Sequence, residues 1–161
     1  MITRQDVLDA LQDVSDPELP ISIVDLGLVE EVDVTDDEVR IRLVTTFMAC
    51  PGRRQIAAGA QERVRDLLVR HDQEDTRLEV EFDTSLSWSP ERLSPRGRAA
   101  LSGVGCGWSR TCPHCGSGDV ALESAFGSSV CSARAYCAAC RTPFEIMKGE
   151  AQLLPLPTVR H

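Results

Sequence analysis

The chain has 161 residues, 42% hydrophobic and 26% charged, with a formal net charge of −8. That balance excludes collagen-like, mucin-like and wholly disordered classes, and the length fits one medium domain or a domain of roughly 90 residues with a small appendage. No apolar run of about 18 residues occurs, and the start Met1-Ile2-Thr3-Arg4-Gln5-Asp6 lacks a secretory apolar region, so a cytoplasmic protein without membrane spans is expected.

Thr3 and Asp6 are spaced as a capping box, and Val7, Leu8, Leu11 and Val14 recur at helical spacing, which predicts a helix over 4–14. It should end before Ser15-Asp16-Pro17-Glu18, because a residue preceding proline is pushed out of the helical region. Leu28 to Val34 and Val39 to Thr45 read as strands. In the second, Val39, Ile41 and Leu43 alternate with Arg40 and Arg42, leaving one face wet. The short polar connection Thr35-Asp36-Asp37-Glu38 makes the pair an antiparallel hairpin. Cys50-Pro51-Gly52 then opens a longer helix with the stripe Ile56, Ala60, Val64, Leu67 and Leu68. Leu78, Val80 and Phe82 alternate with Glu79, Glu81 and Asp83 as a third strand. This α-β-β-α-β order predicts an α+β fold, helices on one face of a short mixed sheet, over residues 1–84.

Residues 85–108 read as a linker with one short helix over 96–101, capped by Ser94 and carrying Pro95 at its first position. Residues 109–149 read as a metal-stapled ribbon and 150–161 as a flexible tail. Charge breaks near the same place. Residues 1–90 hold 20 Asp and Glu against 9 Arg, a net of −11, and residues 91–161 hold 5 acidic and 8 basic residues, a net of +3. The acidic part would repel phosphate backbones, so nucleic acid is not expected as its partner.

Six of the seven cysteines lie in the second part. Cys112-Pro113-His114-Cys115 and Cys137-Ala138-Ala139-Cys140 are two Cys-x-x-Cys turns separated by 21 residues. Two such turns face to face supply four thiolates at about 2.3 Å from a tetrahedral Zn²⁺, and roughly forty residues with little core need that staple. Spacing alone also admits a redox pair or an iron–sulfur cluster. A complete shell of four cysteines has no open position, which predicts a structural rather than catalytic ion. His114 is not expected as a ligand. Cys131, separated from the second turn by five residues, is offset from the tetrad, and burial as a small hydrophobe accounts for it as well as a function does.

Cys50 stands at the start of a helix, followed by Arg53 and Arg54. A helix N-terminus favours a thiolate, so Cys50 reads as a reactive or metal-seeking thiol or else as a buried corner residue. Asp16 and Glu18 flank Pro17, and such carboxylates either cap turn amides or support the thiol.

Three motifs in order, Val14-Ser15-Asp16-Pro17-Glu18-Leu19-Pro20, Ile23-Val24-Asp25-Leu26-Gly27-Leu28-Val29 and Cys50-Pro51-Gly52, resemble the PaaD-like iron–sulfur assembly domain. The segments Ser94-Pro95-Arg96-Gly97-Arg98, Cys112-Pro113-His114-Cys115-Gly116-Ser117, Phe126-Gly127-Ser128-Ser129-Val130-Cys131 and Tyr136 to Phe144 resemble one branch of that family, the PaaD-type accessory components of phenylacetyl-CoA 1,2-epoxidases. The resemblance implies an accessory, non-oxygenase component in aerobic phenylacetate degradation. Such a component assists assembly or repair of an iron or iron–sulfur centre beside the oxygenase and reductase components. It carries a reactive, iron- or cluster-holding cysteine over to Cys50, supporting carboxylates to Asp16 and Glu18, and zinc ligands to Cys112, Cys115, Cys137 and Cys140. It also matches a family cysteine to Cys131. One thiolate with two carboxylates cannot fill a cluster's sites, so sharing across a homodimer is one arrangement for it. Met48-Ala49-Cys50-Pro51-Gly52 stands where a Gly-Cys-Pro-Ala turn is common in the family. Two other readings stay open, a structural subunit bridging oxygenase components and a ribbon that binds nucleic acid through Arg110, Arg134 and Arg141.

Overall fold

The computed structural model describes residues 1–151 and 154–156. The expected α-β-β-α-β order is observed. Helix α1 (Arg4–Leu11) begins at Thr3, whose hydroxyl accepts from the Asp6 amide while the Asp6 carboxylate accepts from the Thr3 amide at 2.7 Å. It ends at Leu11 rather than Val14, because residues 12–14 close as turns before the chain enters its proline loop. Strands β1 (Val29–Val34) and β2 (Glu38–Leu43) form the antiparallel hairpin, and helix α2 (Arg53–Arg70) carries the chain over to β3 (Arg77–Phe82), parallel to β2. A parallel neighbour requires such a crossover.

Register explains why the sheet has one dry face. Val39, Ile41 and Leu43 stand beside Leu78, Val80 and Phe82 across the β2–β3 ladder. Against that face pack Val7 and Leu11 of α1 and the whole α2 stripe, Ile56, Ala60, Val64, Leu67 and Leu68, all buried. The other face is polar, with Arg40 bridging Glu38 and Glu79, and Arg42 paired with Glu31. Exposed pairs of this kind contribute little each, but they hold a strongly acidic surface in balance.

Residues 85–108, expected as a linker, are laid over the first unit. Trp88, Leu93 and Leu101 are buried in its core, and the Trp88 indole donates to the Leu26 carbonyl at 2.7 Å. Helix α3 (Pro95–Gly103) starts at Ser94, whose hydroxyl caps the Gly97 amide and donates to Asp25 at 2.6 Å. Asp25 is therefore a latch for this segment. Gly97 packs its backbone on the Asp25 carbonyl, where a Cβ has no room.

The second sheet runs β4 (Cys106–Gly107), β7 (Thr142–Met147), β6 (Ser132–Cys137) and β5 (Val120–Ser124), with β4 parallel to β7 and the others antiparallel. The two-residue β4 falls at the end of the segment expected as a linker. A short helix α4 (Lys148–Ala151) follows β7. The ribbon core is small, with Val120, Ala133, Ala135, Phe144 and Ile146 around Cys112 and Cys137. Cys106 and Met147 belong instead to the core of the first unit, so the sheet is riveted to it at one end. Of the expected tail, 150–161, residues 152–153 and 157–161 lie outside the described residues. Leu154 is buried on the ribbon, and the Pro155 carbonyl accepts from the Leu122 amide at 2.9 Å.

Candidate metal centre

The two Cys-x-x-Cys turns meet at one end of the ribbon. In the first, the Gly116 amide folds back onto the Cys112 carbonyl at 2.8 Å with Gly116 at φ 76°, a conformation that suits glycine. The second turn joins β6 to β7, with Arg141 at φ 61°, and its Ala138 amide donates to the Asp119 carbonyl beside the first turn. This brings the sulfurs of Cys112, Cys115, Cys137 and Cys140 within 4.8 Å of one another. Cys112 and Cys140 are 3.7 Å apart, and Cys115 and Cys137 are 3.6 Å apart. Four sulfurs at about 2.3 Å from a single ion lie about 3.8 Å apart along each tetrahedral edge. The donor set thus fits one soft, tetrahedral cation with no position left over. The His114 ring packs edge-on against Phe144, with ring centroids 6.4 Å apart.

The remaining site residues converge elsewhere, on the seam between the two units. Val44 and Thr45 leave β2, the chain turns through Phe47 to Ala49, and the Cys50 amide donates to the Phe47 carbonyl at 3.0 Å. This turn sets the Cys50 thiol ahead of the first turn of α2. Gly52 is required there, because a Cβ would come within 2.8 Å of the Pro17 ring and 3.6 Å of Cys50 Sγ. Pro17 in turn carries Asp16 and Glu18. One Asp16 oxygen accepts from the Glu18 and Leu19 amides at 2.8 and 3.0 Å, which shapes the loop, and burial raises the acid's pKa from its usual value. Asp16 is thus the turn cap that its residue type suggested, and its charge also faces Cys50.

Cys131 completes the group from the ribbon side. Its sulfur lies 3.7 Å from that of Cys50, both thiols are free, and exposures of 6% and 8% leave them nearly enclosed. The Cys131 amide donates to Glu18 Oε2 at 3.3 Å, and its carbonyl accepts from the Lys148 amide at 2.9 Å. The Lys148 ammonium lies 5.4 Å from the Phe47 ring centre and 5.7 Å from that of Phe126, spanning first unit and ribbon. Cys50, Asp16, Glu18 and Cys131 are therefore one constellation. Sequence reasoning picked out all four but missed that Cys131 faces Cys50 across 81 residues of chain. The signal was its exclusion from the four-sulfur set.

Electrostatics divides the two thiols. Donation from Cys131, helped by the Gly52 amide, lowers Cys50 to about 6 against the opposing effects of burial and Asp16. Cys131 moves upward because it keeps the shared proton beside the Cys50 thiolate, in a buried place next to the Glu18 carboxylate. At neutral pH the pair is one thiolate and one thiol. Alkylation of Cys50 by iodoacetamide should therefore rise as pH passes upward through about 6, as read by peptide mass spectrometry. Cys131→Ala removes the main cause and should move that midpoint up toward ordinary thiol values. An unmoved midpoint would show that Cys131 does not set it.

Residues 4–74 match the family model described as iron-sulfur cluster assembly protein, and residues 98–148 match that of the PaaD zinc beta ribbon domain. The chain is 27% identical over 151 residues to the putative D component of the 1,2-phenylacetyl-CoA epoxidase of Escherichia coli, covering 86% of this chain and 88% of that one. It is 30% identical over 99 residues to the Fe-S protein maturation auxiliary factor YitW of Bacillus subtilis, covering 61% of this chain and 92% of the relative. A solved domain of unknown function, DUF59, from Bacillus anthracis superposes with a TM-score of 0.53 at 31% identity, covering 60% of this chain and 89% of that one. No helix among the described residues is long and apolar enough to cross a membrane.

Proposed function

The chain belongs to the iron–sulfur cluster assembly protein family, and from that premise we propose that it is the accessory maturation component of a phenylacetyl-CoA epoxidase system in aerobic phenylacetate degradation. It assists assembly or repair of an iron or iron–sulfur centre in the oxygenase or reductase components and does not itself oxidise the ring. The observation that carries this reading is the Cys50 thiol at the mouth of α2, 3.7 Å from the Cys131 sulfur, with the Asp16 charge facing it and Glu18 accepting from the Cys131 amide. A thiolate at neutral pH is the form that takes up iron. The Asp16 and Glu18 charges bordering the pair favour a cation there. The likeness over most of both chains to an epoxidase component supports the choice of client, and the maturation-factor relative supports the kind of work done.

In this reading Cys112, Cys115, Cys137 and Cys140 hold a structural Zn²⁺. A closed shell of four thiolates supplies folding free energy and no vacant position for chemistry. The ion keeps the ribbon rigid, and the ribbon presents Cys131 to Cys50.

Cys50→Ala should keep its zinc and its thermal transition, since alanine fills most of the same small space. Epoxidase components matured beside it should lose most of their iron, as read by metal analysis of the purified components. Full iron loading beside Cys50→Ala would overturn the maturation reading and point to a protein that only bridges its partners.

A further inference from the structure

We infer that Cys50 and Cys131 together form a bidentate, two-thiolate site for ferrous iron, with the second ligand supplied by the ribbon. This rests on the maturation reading above and gives it a ligand set. The separation of the two sulfurs, 3.7 Å, matches that of the paired cysteines in the four-sulfur site, 3.7 and 3.6 Å. It is far longer than a disulfide, about 2.05 Å, and close to the roughly 3.8 Å edge that two thiolates make on one tetrahedral ion. The pair already has the sulfur spacing of a chelate.

Three further features suit a cargo site rather than a resident one. Among the described residues the four-sulfur group is the only set of three or more metal-binding side chains within mutual reach of one ion. The Cys50–Cys131 pair therefore offers an ion two thiolates and no third protein donor within reach, a weaker hold than a closed shell of four. Glu18 and Asp16 border it, so a cation there meets negative charge rather than an apolar wall. The pair is also assembled from both units, since Cys50 precedes α2 and Cys131 lies just ahead of β6, beside its own anchor to Lys148.

The step balances without an electron. Fe²⁺ meets the Cys50 thiolate and the Cys131 thiol, two Fe–S bonds form, the Cys131 S–H bond breaks, and one proton leaves to water.

The test uses the full chain with its four-sulfur site loaded with zinc, reduced and anaerobic, with ferrous ammonium sulfate as the probe. The iron K-edge spectrum of the wild type should show two sulfur neighbours per iron, and that of Cys131→Ser one. Equilibrium dialysis should show Cys131→Ser binding iron at least about tenfold more weakly, since even outer-sphere partners of a metal are commonly worth that much. One sulfur or none in the wild type overturns the proposal, and that readout needs no variant to fold. Iron binding by Cys131→Ser equal to wild type, at equal zinc content, also overturns it. If client loading still depends on Cys50 in that case, the maturation reading survives while the two-thiolate site does not.

Discussion

Removing the metal from the four-sulfur site, by chelation under reducing conditions or by Cys137→Ser, should unfold strands β5 to β7 while leaving the β1–β3 sheet and α2 protected. Among the described residues the ribbon's own core holds Val120, Phe144, Ile146 and Leu154 beside two alanines, and two of the ligand cysteines are themselves part of it, while Met147 of β7 packs into the core of the first unit. Metal coordination in such small units is worth on the order of 10 kcal/mol, more than so thin a core replaces. The first unit has its own core of α1, α2 and sheet residues, and relatives such as the Bacillus maturation factor correspond to little more than that unit. Hydrogen exchange read by mass spectrometry separates the two regions. Loss of the ribbon also removes Cys131 from Cys50, so the Cys50 alkylation midpoint should climb away from about 6 in the same sample. Retained protection in β5 to β7 without metal would show that the ribbon stands by packing alone.

The second large effect falls at Gly27. Its φ of 74° lies in the left-handed region, and a Cβ there would overlap the Arg92 carbonyl and come within 2.6 Å of its carbonyl carbon. Gly27→Ala therefore has both a strained backbone and a backbone clash, neither of which a side-chain rotation relieves. The Arg92 guanidinium donates to the Gly27 carbonyl at 2.9 Å and pairs with Glu30, and Trp88 holds the adjacent Leu26 carbonyl. Displacing residues 88–93 loosens all of these. The expected cost is about 3 kcal/mol, or roughly 10 °C in Tm, measurable by calorimetry. The metal content of the four-sulfur site should stay unchanged, because that site is at the far end of the ribbon's own strands. A Tm within a degree or so of wild type would contradict the close packing of 85–108 on the first unit.

Periodicity carried the reading of the first unit because its elements are amphipathic. The α2 stripe from Ile56 to Leu68 and the β2 alternation from Val39 to Leu43 are each decided by local spacing, and both faces pack as expected. The paired cysteine turns were equally plain, since two residues between ligands is a local signature. What the chain did not disclose locally is long-range. Residues 85–108 look polar and loose, yet one indole, one serine and one arginine tie them to the Leu26–Gly27 turn and to Asp25. Cys106 and Met147 carry no mark that assigns them to the first core. Cys131 looked merely offset from a tetrad, and only the docking of the ribbon reveals that it answers Cys50. Pairings between units depend on tertiary placement, which spacing does not encode.

Delivery of iron to another protein through Cys50 is open to direct test. The most direct measurement loads the reduced, zinc-bound chain with ferrous iron, removes the excess, mixes it anaerobically with the metal-free epoxidase reductase or oxygenase component, and separates the two before analysing each for iron. Transfer faster than from an equal amount of free ferrous iron, and abolished by Cys50→Ala, is the predicted result. Iron that stays with the chain, or a client that loads no faster than from free iron, would contradict it.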